Sequence, residues 1–381
     1  MIRVEVNPEL LRWARERSGL DLGVLARRFP KLGDWETRKA RPTLKQVEGF
    51  AKATYTPIGY LFLDQPPVEQ VPIPDLRTRG GLRRGRPSPD FLDTLYVCQQ
   101  RQEWYRDFAR SMGDKPLAFV GSVRVTSGVE ATAATIRDAL GFDLDARRRA
   151  PTWTDALRLF IDQADKLGIL VMCSGVVLNN NRRHLDPDEF GGFAMVDPLA
   201  PLVFINGADT KAAQMFTLAH ELAHLWLGES AVSDAQASSV PEQATERWCN
   251  MVAAELLVPL AVLRAELRTA GQGPADANRL ARCFKVSTLV ILRRMHDAGG
   301  LTRDEFWAAY EAELERLRAL APGAGGNFYL TQAARVSKRF ARALVVSTLE
   351  GQTLHRDAFR MLGFSKLQTF QELGRSLGVM V

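Results

Sequence analysis

The sequence predicts an α+β chain, mostly helical, with one small β-sheet in a central core and helical domains on either side. Apolar residues recur at helical spacing over most of the 381 residues. Three short apolar runs, at 169–173, 192–196 and 202–205, read as buried strands. Immediately after them stands His220-Glu221-Leu222-Ala223-His224, set in a long apolar helix pattern.

The first 65 residues read as a bundle of short helices at 8–17, 22–28, 44–53 and 58–63, with breaks at Gly19, Gly33 and Pro42. The segments Arg15-Glu-Arg-Ser-Gly-Leu, Trp35-Glu36 and Arg41-Pro-Thr-Leu-Lys-Gln-Val-Glu-Gly-Phe-Ala51 resemble the Cro/repressor-type helix-turn-helix domain. That resemblance implies a helix for the DNA major groove, with Arg38, Lys39, Arg41 and Lys45 as phosphate contacts. The match departs from the pattern at 27–34. Only eight residues separate Ala26 from Trp35, fewer than a turn plus a recognition helix needs. A bundle that docks a protein partner stands beside the DNA reading.

Residues 66–90 change character. Pro66, Pro67, Pro72, Pro74, Pro87 and Pro89 surround five arginines between Arg77 and Arg86, which predicts an extended linker too irregular for a packed element. A long helix is predicted over 91–112, where Leu92, Leu95, Tyr96, Trp104, Tyr105 and Phe108 recur at helical spacing as core residues. Helices at 128–140 and 152–167 lead into the three strands. Asp209 or Thr210 then caps a helix over 211–227 that ends at Gly228.

That last helix carries the chemistry. Four residues of α-helix bring His220 and His224 to one face, where both imidazoles can grip one ion. Glu221 stands where a carboxylate can reach a metal-bound water. The chain has only 5 histidines, so chance pairing at this spacing around a Glu is improbable. The pattern is that of the zincins and predicts a single catalytic Zn2+ with three protein ligands and one position kept for water. The third ligand is sought in Glu246-Arg-Trp-Cys-Asn-Met-Val-Ala-Ala-Glu-Leu-Leu-Val-Pro259, a second amphipathic helix. Glu246 opens its buried stripe, where a carboxylate is costly unless paired with a cation. Glu242 and Glu255 are competitors, and Cys249 is a possible ligand that also reads as a small core residue.

The run Gln214-Met-Phe-Thr-Leu-Ala-His-Glu-Leu-Ala-His224, followed by Glu246-x-x-Cys-Asn-x-x-Ala-Ala-Glu-Leu-Leu-Val-Pro259, resembles the ImmA/IrrE family of metallo-endopeptidases. Asp188-Glu-Phe-Gly-Gly-Phe-Ala194 and Leu202-Val-Phe-Ile-Asn206 resemble the family's segments ahead of the metal helix. The resemblance implies a zincin-like core, zinc held by His220, His224 and Glu246, and Glu221 as the catalytic base. It also implies cleavage of a repressor or antitoxin in a bacterial or mobile-element switch, often after a stress signal. For a substrate held extended against a sheet edge, the strand around Phe193, Ala194 and Met195 is the expected edge, with either other strand as an alternative. His184, near the polar loop 179–183, is the candidate oxyanion or substrate contact.

Leu280-Ala-Arg-Cys-Phe-Lys-Val-Ser-Thr-Leu-Val-Ile-Leu-Arg-Arg-Met295 resembles the helix-turn-helix-like segment trailing that peptidase core, with Arg293 and Arg294 open to DNA, solvent or substrate. The expected domains are therefore 1–65, helix-turn-helix-like; 66–90, linker; 91–300, zincin-like peptidase with its trailing helices; and 301–381, a helical domain around a Pro322-Gly-Ala-Gly-Gly326 break.

Composition sets outer bounds. Apolar content of 46% with 25% charged residues is that of a globular chain. The longest apolar run, 167–178, is too short to span a bilayer, so no membrane role is expected. Cys98, Cys173, Cys249 and Cys283 are scattered without CxxC pairing, which disfavours a disulfide framework. Met1-Ile-Arg-Val-Glu-Val lacks the apolar core of a signal peptide, and a cytoplasmic location is expected. A net charge of +6 permits nucleic-acid contact without requiring it. The resulting expectation is a zinc endopeptidase of a regulatory protein. The competing class is a DNA-binding transcription regulator or interaction module whose zinc is structural or sensory.

Overall fold

Local capping sets most helix boundaries. The computed structural model describes residues 2–76, 78–79, 82–83, 87–233, 243–270, 276–318 and 335–379. The chain divides into two compact units, Met1–Pro72 with Arg84–Asp93, and Ile73–Arg83 with Thr94–Val381.

In the first unit, α1 (Pro8–Ser18) starts at Asn7, whose side chain accepts from the Glu9 N–H, and stops at Gly19, φ 64°. Asp21 caps α2 (Leu22–Arg28). The stretch that is short for a recognition helix holds the five-residue α3 (Leu32–Glu36). Thr43 and Gln46 form a capping box on α4 (Leu44–Ala53), and a 3-10 turn follows at Ile58–Phe62. Leu10, Leu11, Trp13, Leu25, Trp35, Val47 and Phe50 make the core. The buried Arg17 guanidinium reaches Glu69 at 2.7 Å and the Tyr55 carbonyl at 2.9 Å.

The described residues of 66–90 are more structured than the linker prediction. Glu69 is clamped by Arg17 in the first unit. Within the second unit, β1 (Thr78–Arg79) pairs antiparallel with β2 (Leu82–Arg83), and Asp75 forms a parallel bridge with Val232. Proline density disfavours long elements but not isolated bridges, because the residues between prolines keep their N–H groups.

The long α5 (Pro89–Met112) begins with the first unit's residues and continues in the second. Next come α6 (Val129–Leu140), α7 (Leu144–Arg149) and α8 (Trp153–Leu167). The sheet consists of β3 (Leu170–Ser174), β4 (Gly192–Met195), β5 (Leu202–Asn206) and β6 (Ala231–Ser233), in the order β3-β5-β4-β6. β3 and β5 are parallel, while β4 runs antiparallel to both of its neighbours. β4 thus has no free edge, which overturns its expected role as the substrate-binding strand.

Between β4 and β6 the chain forms α9 (Lys211–Leu227), the histidine helix. After β6 come α10 (Ala244–Leu257), α11 (Leu260–Ala270), α12 (Ala277–Phe284) and α13 (Thr288–Asp297). Strand alternation gives the sheet two apolar faces. Val171, Ala194, Val203 and Ile205 share a core with Leu218, Leu222 and Leu225 of α9 and Val252 and Leu256 of α10. On the other face Phe193 stacks on Phe204 at 5.0 Å, and Arg101 and Cys98 of α5 meet Met172.

The described residues beyond 300 are helical, as expected: α14 (Arg303–Arg318), α15 (Lys338–Leu349), α16 (His355–Leu362) and α17 (Leu367–Ser376). Phe306 and Tyr310 of α14 join the core that α9 and α10 share. Arg339 donates to the Asp165 carbonyl at 2.9 Å, and Arg101 donates to Met361 O, so the last helices are tied to α8 and α5. The expected Pro322–Gly326 break lies outside the described residues. Among the described residues no single helix is long and apolar enough to cross a membrane.

Candidate metal centre

Thr210 caps α9 by accepting from the Ala213 N–H, and Gly228 closes it at φ 78°. The helix is buried nearly all round, and His220, Glu221 and His224 are each fully shielded from solvent. α10 packs against α9 and brings Glu246 alongside the histidines. Glu246 Oε1 lies 3.0 Å from His224 Nε2, and its Oε2 lies 3.4 Å from His220 Nε2. The two Nε2 atoms are 3.1 Å apart.

These separations fit a divalent cation. Bonds of about 2.0–2.2 Å at tetrahedral angles place neighbouring donors about 3.4 Å apart. Two imidazole nitrogens and a carboxylate, buried and within 3.4 Å of one another, call for a shared positive charge. Glu221 follows His220 directly on α9 and is equally buried. Both of its oxygens are buried and, the Ser233 hydroxyl aside, have no hydrogen-bond partner among the described residues, which suits a group that works on a small polar species in the site.

The side chains polarise one another. Burial disfavours the charged form of Glu246, but the two imidazoles outweigh it and hold the carboxyl down at about 2. Burial raises Glu221 to about 8, with Glu246 adding and His220 and Ser233 opposing. Burial lowers His224. For His220 the burial penalty is overturned by Glu246 and Glu221, so its pKa rises.

Cys249 is the alternative third ligand, since its sulfur lies within 4.8 Å of donor atoms of both histidines. Burial and nearby carboxylates raise its thiol pKa well above the usual range. Glu246 is the better-placed donor, with its two oxygens 3.0 and 3.4 Å from the histidine Nε2 atoms. Glu255 is removed from contention by a buried ion pair with Arg294, which also donates to Val258 O at 3.0 Å. Arg294 is thus unavailable to DNA, while Arg293 pairs with Asp297 at 3.4 Å. Glu242 lies outside the described residues.

Two neighbours escaped the sequence reading. Asn250 Oδ1 accepts from His220 Nδ1 at 2.9 Å, given that Nε2 faces the cluster. Ser233 Oγ on β6 lies 3.4 Å from His224 Nε2. Asn250 was findable, because it sits four residues after Glu246 on the same helix face. Ser233 had no local signal, being placed by strand pairing.

His184 is exposed, its backbone bridges to Val176, and no hydrogen bond links its imidazole to the cluster. In the first unit Arg38, Lys39, Arg41 and Lys45 are all exposed along the turn after α3 and the start of α4, and Arg41 lies 3.7 Å from Glu5.

A zincin-like α+β peptidase core is what this sheet, the paired helices and the donor cluster define. Residues 164–296 match the peptidase family described as the IrrE N-terminal-like domain. Residues 336–376 match a domain of unknown function, DUF8813. Over 96 residues the chain is 35% identical to the radiation response metalloprotease IrrE of Deinococcus radiodurans. That alignment covers 24% of this chain and 29% of IrrE. No solved structure gives a significant match.

Proposed function

We propose that this protein is a zinc-dependent endopeptidase that cuts a regulatory protein, a repressor or an antitoxin, in the cytoplasm. The observation that carries the reading is a fully buried Glu221, with no hydrogen-bond partner but the Ser233 hydroxyl among the described residues, beside three converging donors. A zinc ion held by His220, His224 and Glu246 supplies a Lewis acid and lowers the pKa of water to about 7. Glu221 takes the proton of the attacking water and returns it to the departing amine nitrogen. A metal kept only to hold the fold has no use for that carboxylate. Asn250 keeps the His220 ring in the tautomer that leaves Nε2 free. The family match at 164–296 and the partial likeness to a named metalloprotease support the same reading.

A DNA-binding role for the first unit is supported by one observation, the four exposed cations on a single segment at Arg38, Lys39, Arg41 and Lys45.

The test uses the purified chain and the repressor or antitoxin encoded beside it. Zinc-loaded protein should cleave that partner, a chelator should stop cleavage, and Glu221→Gln should keep its zinc while losing the activity. Undiminished cleavage by Glu221→Gln, or purified protein that takes up no zinc, refutes the proposal.

A further inference from the structure

The sheet has two outer strands, β3 and β6. Of these, β6 reaches the metal cluster, through Ser233 Oγ at 3.4 Å from His224 Nε2. Its inner side pairs with β4, with Phe193 opposite Val232. The outer backbone groups of Val232 are also engaged. Val232 N–H donates to Pro74 O at 2.9 Å, and Leu76 N–H donates to Val232 O at 3.0 Å, with Asp75 in parallel register opposite Val232.

We propose that Pro74–Leu76 is a built-in, displaceable occupant of the β6 edge beside the metal cluster, holding the backbone positions that an extended protein substrate must take. The inference rests on the peptidase reading and adds its regulation. Strand addition works through the N–H and C=O of the edge residue, and in Val232 each of these already serves one partner. Segment and substrate therefore exclude each other.

The occupant is built to yield. Pro72 and Pro74 have no N–H, so the ladder cannot lengthen on that side, and among the described residues it amounts to one bridge with two backbone hydrogen bonds. Pro74 and Asp75 are exposed, so burial of those side chains does not anchor the segment. Being part of the same chain, it competes at an effective concentration of the order of millimolar, enough to exclude a weak substrate but not a tightly docked one. A strand that merely covers an edge against aggregation makes no such competition with ligands.

The experiment uses the full zinc-loaded chain carrying Glu221→Gln, so that binding is read without turnover. The probe is a fluorescein-labelled peptide copying residues 70–80, followed by anisotropy. Leu76→Pro deletes the N–H that bonds Val232 O. It should free the Val232 amide in hydrogen exchange and lower the peptide Kd at least about tenfold, as expected for removal of an intramolecular competitor. An unchanged Kd with a freed Val232 amide overturns the inference. Should Leu76→Pro leave Val232 protected, deleting residues 73–76 removes both the Leu76 N–H and the Pro74 carbonyl to which the Val232 N–H donates, and the same comparison then decides. Failure of the peptidase reading shows separately, as no zinc-dependent cleavage by chains with Glu221 intact, whether or not Leu76→Pro is present.

Discussion

Asn250 Oδ1 accepts a hydrogen bond from His220 Nδ1 at 2.9 Å, so a residue of α10 orients the first histidine of the α9 donor cluster. Losing such an outer partner costs about 10–100-fold in metal affinity. Asn250→Ala should weaken zinc binding by that factor in a chelator competition. Asn250→Asp, which keeps an acceptor at the same place, should restore most of it. Equal zinc affinity in Asn250→Ala and the parent protein would show that the bond does no orienting.

Glu246 and Cys249 compete for the third ligand position, and the two substitutions separate them. Glu246→Gln keeps the shape but removes the charge that the imidazoles hold ionised. Zinc affinity should fall by more than the about 10–100-fold of an outer-sphere change. Cys249→Ala should leave zinc affinity unaltered, and cobalt-substituted protein should show no sulfur-to-metal charge-transfer band. A strong band lost on Cys249→Ala would reverse the assignment.

The sequence exposed the part of the site that is local. His220, Glu221 and His224 lie within five residues of one helix, so helical period alone puts them together. Glu246 followed from the cost of a buried carboxylate, an argument that also admitted Glu255 until the structure showed Arg294 against it. What stayed hidden depends on pairing between distant residues. β6 has three residues and exists only through β4 on one side and Asp75 on the other. For the same reason β4, whose own residues read as a strand, was misplaced at an edge: strand order is not a property of the strand's own sequence. In the first unit the five-residue α3 is too short to show a helical period.

Gly192 is a close-approach position under α9. A Cβ there would sit 2.6 Å from Phe204 O and 2.6 Å from Thr217 Cγ2, with Glu221 Cγ at 3.5 Å. Neither β5 backbone nor a buried Thr can give way cheaply, so α9 must lift off β4. Gly192→Ala should destabilise the protein by about 1–3 kcal/mol in urea denaturation, as overpacking does. Thr217→Ser removes one of the two clashes and should recover part of the loss. A Gly192→Ala protein as stable as its parent would mean that the helix and sheet are not in contact here.

Arg294 ties three helices together. It is 5% exposed, is paired with the equally buried Glu255 of α10, donates to Val258 O at 3.0 Å and approaches Asp297 of its own helix at 3.4 Å. Glu255 Oε2 also accepts from the Leu260 N–H that opens α11, at 3.3 Å. Removing one partner of a buried pair strands the other charge, at a cost of about 3–5 kcal/mol, whereas replacing both with apolar groups is often nearly neutral. Arg294→Met should therefore lose stability on that scale, and Arg294→Met combined with Glu255→Leu should regain much of it. The two substitutions share one contact, so their effects must couple strongly in a double-mutant cycle. Simple additivity would place the Arg294 contribution in its carbonyl contact rather than in the ion pair. If the tie also fixes the end of α10, Arg294→Met should weaken zinc binding through Glu246, and the double variant should bind zinc nearly as well as the parent.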